Sequence, residues 1–304
     1  MTPYSSPSPW PSSPGTARAP SGRMADVTHT TVSPASARDT EPIYRRPGDY
    51  DLEHEGDDED IGFYRRLIER LRPRRVLELA CGSGRVTLPL SELAASQDFE
   101  IVGVELAEEM LAAAVEKREA ASGAVQRALT LTQGDMRTWR TDDPFDLVIT
   151  PCSSLCHLLT LPDRLAAWRT AWLALSAGGR FVADIAMPNL AAYADSFQTP
   201  PRALVEIDLD TSPPDGSARL VRYKTTRYLP HEQRAEVRFL YDRFTAADPV
   251  DRYVSDFESH VYFPCELQLL FIHTGFEIED TFGSYFERPL RPTSREMLIV
   301  GRRP

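Results

Sequence analysis

The stretch beginning at Val76 restricts the fold more than any other part of the chain. "VLELACGSGRVTLPL" reads as a buried strand (Val76 to Ala80), a tight turn (Cys81 to Gly84) and a helix over 85–96. The same alternation then repeats. A strand at 99–106 precedes a helix at 108–121; 129–136 and 145–150 are strand-like; a helix at 162–176 leads into a strand at 178–186. Strands separated by helices cannot be joined by tight hairpins. The pattern therefore predicts an α/β fold, a parallel sheet with helices on both faces, and right-handed crossovers limit the strand orders further.

After Pro188 the pattern changes. "ALVEIDLD", "ARLVRYKTTRYL", "AEVRFLYDRF" and "DFESHVYF" are strand-like with no helix between them, and "PPDG" and "LPHEQR" separate them as turns. An antiparallel β insertion is predicted over 188–263. A helix at 264–275 resumes the alternation, and strands at 276–286 and 295–304 close the sheet as a hairpin. The main domain then comprises 43–187 and 264–304. It includes an N-terminal cap helix read from Ile61, Tyr64, Leu67, Ile68 and Leu71 and ended by Pro73. The acidic run just before this helix reads as a solvated loop or a helix start.

Residues 1–42 are rich in Ser, Pro and Gly without apolar periodicity, so they are expected to be disordered. Met24 lies within them and offers a second translation start. The remainder suits one large domain with an inserted part: 304 residues, 42% hydrophobic. A net charge of -11 without a dense basic run argues against nucleic acid as a partner. No apolar run reaches membrane-spanning length, and the N-terminus lacks a charged start followed by an apolar core. Four cysteines are too few for a disulfide framework. A cytoplasmic location is expected, and a homodimer is compatible with the sequence.

Three ligand types use a glycine turn of this kind. A phosphate loop needs GxxxxGK followed by Ser or Thr, and "ACGSGRV" has no lysine there. A dinucleotide fingerprint needs GxGxxG; Gly82 and Gly84 fit, but the third position is Thr87. Three acids around the turn carry more information. Glu78 lies in the strand before it, where a carboxylate suits a positive centre and repels a pyrophosphate. Glu105 ends the second strand, where an acid can hold two ribose hydroxyls. Asp135, in "QGDM" after the third strand, can accept from an adenine amino group or cap the following helix.

These motifs resemble the class I S-adenosylmethionine-dependent methyltransferases. "VLELACGSGR", "VGVELAEEML" and "LTQGDM" match the family's first three motifs, with Glu105 where Asp is usual. "FDLVITPCSSLCHLL" and "ALSAGGRFVADI" match its later strands. "DEDIGFYRRL" and "YFPCELQLLFIHTGFEIEDTFGSYF" resemble a bacterial subgroup acting on small molecules of natural-product pathways. The resemblance covers about 48 to 302. It implies a Rossmann-like seven-stranded sheet with an antiparallel lid, and S-adenosyl-L-methionine as the cofactor. It implies a small-molecule acceptor, with N-methylation of an amine favoured over C-methylation of an aromatic ring such as an indole. A cofactor-binding protein without catalysis and a nicotinamide-dependent oxidoreductase are the rivals.

The resemblance implies a cofactor-binding set of Tyr64, Glu78, Ala80, Gly82, Gly84, Arg85, Glu105, Leu106, Met110, Gly134, Asp135, Met136 and Pro151. Leu106, Met110 and Met136 would wall an adenine slot, or are ordinary core. Tyr50, Phe63 and Tyr64 are aromatics of the kind that cover the cofactor in this family, or pack the cap helix. His157 follows the fourth strand, where it accepts a proton from the acceptor or orients it. Tyr50 is its candidate partner in catalysis and, with it, in acceptor binding. Tyr223, Tyr228, Phe239 and Tyr241 line an acceptor pocket or pack the lid on itself. Cys152, Cys156 and His157 lie close in sequence, but no fourth ligand at suitable spacing completes a zinc site, so no metal is expected.

Overall fold

The computed structural model describes residues 42–198, 204–245 and 250–304. The expectation of a disordered tail therefore falls, Pro42 apart, outside the described residues. β1 (Arg75–Leu79), β2 (Glu100–Glu105), β3 (Leu129–Gln133), β4 (Phe145–Thr150) and β5 (Leu175–Ala186) are parallel. β10 (Glu277–Phe282) and β11 (Glu296–Arg302) form the closing hairpin, and β11 runs antiparallel to β5. The seven strands take the order β10-β11-β5-β4-β1-β2-β3.

Helices cover both faces, which is why β1, β4 and β11 are almost continuously buried rather than alternately so. One core gathers Trp168, Phe181 and Phe271 around α6 (Leu161–Ala174) and α7 (Pro264–His273). The other gathers Phe63, Tyr64 and Leu67 of α2 (Glu59–Leu71) with Leu90 of α3 (Thr87–Gln97). β1 lies between β2 and β4, so the strand order reverses there. The crevice above its carboxyl end is where open α/β sheets hold ligands.

The insertion is a separate four-stranded antiparallel sheet, β6 (Glu206–Thr211), β7 (Ala218–Leu229), β8 (Arg234–Thr245) and β9 (Asp251–His260), in that order. Its inner face meets an N-terminal arm, a 3-10 turn at Pro42–Arg45 followed by α1 (Pro47–Glu53). Ile43 and Leu52 of the arm pack with Leu220 and Tyr241 of the lid. The acidic run thus contains a short helix as well as loop. α5 (Gly123–Ala128), capped by the Ser122 hydroxyl, is a further helix beyond those expected. The third strand ends at Gln133 instead of 136. Gly134 starts a turn in which a Cβ would sit 2.6 Å from the Trp139 ring.

Candidate functional site

A cavity of about 1160 Å³ opens over the carboxyl ends of β1, β2 and β3 and is roofed by the arm and the lid. The turn after β1 forms its floor. Gly82 and Gly84 have φ of +58° and +81°, a region that favours glycine, and Ala80 between strand and turn has φ +61°. At Gly84 a Cβ would also lie 3.0 Å from Leu88.

Glu105 clamps this turn. One carboxylate oxygen accepts from the Gly82 N–H at 2.8 Å; the other accepts from the Leu106 and Ala107 N–H groups, both at 2.8 Å. Its extra methylene carries the carboxylate from β2 across to the turn. Ala80, Gly82, Glu105, Leu106, Met110, Gly134, Asp135 and Met136 all line the cavity. The Asp135 carboxylate accepts from the Arg137 backbone N–H at 2.8 Å and from its guanidinium at 2.6–3.0 Å. Arg137 in turn reaches Asp163 at 3.2 Å.

Opposite stand the arm and the loop after β4. The His157 Nε2 is 2.8 Å from the Tyr44 hydroxyl. The Tyr50 ring lies 6.1 Å from that of Tyr44 and 4.8 Å from that of His54. From the lid, Phe239 and Tyr241 face the cavity. Arg222 stacks on Phe239 at 4.3 Å and pairs with Glu53 of α1 at 3.1 Å and with Asp208 of β6 at 3.1 Å. Burial raises the Glu53 carboxyl above its ordinary value, against the pull of Arg222.

Seven expected site residues do not line this cavity: Tyr64, Glu78, Gly84, Arg85, Pro151, Tyr223 and Tyr228. Glu78 is buried and accepts from the Thr87 hydroxyl at 2.7 Å, so Thr87 serves the first helix as a hydrogen-bond donor where a dinucleotide fold has glycine. Burial raises the Glu78 carboxyl to about 8. Tyr64 is fully buried and donates to Asp184 at 3.2 Å. Arg85 sits behind the wall, bound to Asp60, Cys152 and the Asp57 carbonyl. Tyr223 follows Arg222 on β7, and successive strand residues face opposite sides, so it points away from Phe239 and Tyr241. Tyr228 is buried in a stack with Tyr193, 4.7 Å between rings, and Tyr193 rather than Tyr228 meets the cavity. Tyr44, Glu53, His54 and Arg222 were not anticipated, and the sequence holds no local motif that marks them.

Among the described residues no group of three His, Cys, Asp or Glu side chains is placed to hold a metal ion. No described helix is long and apolar enough to cross a membrane.

The sheet order, the glycine turn and the separate antiparallel sheet define a Rossmann-like methyltransferase fold. Residues 76–179 match the family described as methyltransferase domain. YqeM of Bacillus subtilis (strain 168), provisionally assigned as a methyltransferase, is 32% identical over 111 residues, 36% of this chain and 42% of that protein. The chain thus spans under half the length of this relative. The CcbJ methyltransferase from Streptomyces caelestis superposes with a TM-score of 0.65 at 22% identity, covering 82% of this chain and 96% of that one. The sugar N-methyltransferase KedS8 from Streptoalloteichus sp ATCC 53650 does so with a TM-score of 0.64 at 20% identity, covering 93% and 99%.

Proposed function

We propose that this protein transfers a methyl group from S-adenosyl-L-methionine to a small molecule, most simply to an amine nitrogen. The observation that carries the reading is Glu105. Its carboxylate lies at the floor of a large cavity, beside the glycine turn and the apolar side chains Leu106, Met110 and Met136. That set fits an adenosine. Beyond its three backbone bonds Glu105 keeps one acceptor site, on the oxygen that faces the Gly82 N–H, for a ribose hydroxyl, and the apolar wall suits the flat base. Asp135 lines the same rim, its carboxylate engaged on both oxygens by Arg137.

The bound cofactor supplies a methyl already activated by sulfonium. The protein must then bind, align and exclude water. Positioning accounts for much of such an acceleration, and the arm and lid keep the cavity partly closed. Tyr50 lines the cavity, its phenol kept protonated by burial. His157 orients the acceptor or takes its proton, and Tyr44 fixes the imidazole. The sugar N-methyltransferase among the similar folds supports an amine acceptor.

Calorimetry against S-adenosylhomocysteine and NAD tests the cofactor: binding of the first only is expected, and binding of NAD only would overturn the reading. Incubation with labelled cofactor and a panel of amines and indoles, followed by NMR of any product, tests the acceptor atom.

A further inference from the structure

The short helix of the arm carries carboxylates on two sides. Asp49 and Glu53 are four residues apart on α1 and share a face. That face meets the lid: Asp49 accepts from the Tyr253 hydroxyl at 3.0 Å and pairs with Arg243 at 3.0 Å, and Glu53 pairs with Arg222 at 3.1 Å. Asp51 lies midway between them in sequence, about 200° round the helix from either. It therefore points away from the lid.

What it meets there is the glycine turn. The Asp51 Oδ1 accepts from the Ser83 hydroxyl at 2.5 Å, and its Oδ2 pairs with the Lys117 Nζ of α4 (Glu108–Ala120) at 2.6 Å. Lys117 closes the ring by donating to the Ser83 carbonyl at 2.9 Å. Ser83 is fully buried between Gly82 and Gly84, whereas the Asp51 and Lys117 side chains are partly exposed. None of the three lines the cavity. Glu105 thus holds the turn from the cavity side, and Asp51 holds it from outside. Asp51 directly follows Tyr50, and Tyr50, Glu53 and His54 all line the cavity. With the Tyr44–His157 contact at the wall, the ring ties the arm to the body.

We propose that Asp51 is a positioning residue for the ligand cavity, a latch between the arm and the glycine turn whose release lets the cofactor in and out. The inference rests on the cavity being the cofactor site argued above. A partly exposed ion pair contributes little and one hydrogen bond to a carboxylate only a modest amount. The ring can therefore open locally while the core stays folded. Asp49 and Glu53 keep the arm on the lid as it does so, and the two lift together. Since no member of the ring lines the cavity, opening it changes access to the site and leaves the contacts made inside it alone. Entry and exit should then change by the same factor.

The experiment compares the full-length protein with D51A and K117M. In hydrogen exchange without ligand, the amides of 43–54 should exchange about tenfold faster in D51A, with those of β1 and β4 unchanged. Stopped-flow binding of S-adenosylhomocysteine to D51A should show association and dissociation both about tenfold faster, with Kd within about twofold of the wild type. K117M leaves the Ser83–Asp51 bond in place and should raise both rates about 2–5-fold. It decides the matter if D51A melts several degrees lower, and rates in K117M equal to those of the wild type would then overturn the latch. Unchanged exchange of the arm in D51A overturns the proposal. So does a Kd weakened about tenfold at an unchanged association rate, which makes Asp51 a support of the turn only. A wild type that does not bind S-adenosylhomocysteine fails the cofactor reading instead, and the exchange of the arm still decides the latch.

Discussion

Replacing Glu78 by Gln should make the protein more stable at alkaline pH and hardly alter it at pH 5. Glu78 is 2% exposed, and its carboxyl accepts a hydrogen bond from the Thr87 hydroxyl at 2.7 Å. Its carboxyl stands at about 8, against about 4.3–4.5 for an exposed glutamate. The raised value means that the native state binds the proton more tightly than the unfolded chain, so stability falls as pH climbs from about 4.5 to about 8 and levels off beyond. At about 1.4 kcal/mol per unit, the full span amounts to roughly 3–5 kcal/mol. Gln keeps the shape and can still accept from Thr87, but it carries no charge to desolvate. Urea denaturation of both proteins at pH 5, 7 and 9 measures the difference directly. The gap should be under about 1 kcal/mol at pH 5 and several kcal/mol at pH 9. Because Asp184, its carboxyl raised to about 7 by burial, titrates in both proteins, subtracting one curve from the other isolates Glu78. Parallel curves across the whole range would refute the argument, since they would mean that Glu78 is ionised without cost.

Three other outcomes follow from the same geometry. Glu105→Ala frees the Gly82, Leu106 and Ala107 N–H groups and removes the proposed ribose acceptor; calorimetry should find S-adenosylhomocysteine binding weaker by about 1–3 kcal/mol. Gly84→Ala forces a left-handed alanine against Leu88, and urea denaturation should show a loss of about 1–2 kcal/mol. If His157 is a base, His157→Ala should lower kcat by roughly 10²–10⁴-fold with unchanged cofactor affinity, whereas an orienting role gives a smaller loss shared with KM.

The sheet was legible because buried parallel strands leave a strong mark: runs such as "FDLVIT" alternate with helices, and β4 falls at 145–150 as read. The glycine turn was legible because its backbone excludes most side chains. The roof was less so. α1 has only seven residues, fewer than two turns, and its acidic residues read equally well as solvated loop. In the lid, period-2 alternation says that Tyr223 and Tyr241 lie on strands but not which face meets the cavity. That follows only from the β7–β8 register, where Arg222 is opposite Tyr241. Arg85 looked like a ligand contact because it follows the glycines. Asp60, distant in sequence until α2 folds over the turn, is what draws it behind the wall.

The shared ion pair of Arg222 with Glu53 and Asp208 divides the labour of the molecule. The floor of the cavity comes from 80–137, inside the segment that matches the methyltransferase domain; the roof comes largely from 43–54 and 222–262, outside it. On the function proposed above, the floor would hold the cofactor, the part of the chemistry that such chains share. Selectivity for the second molecule would be set by the roof, which two stretches remote in sequence build together. A relative that kept every floor residue and redrew the Arg222 junction would then keep the proposed cofactor and change its acceptor.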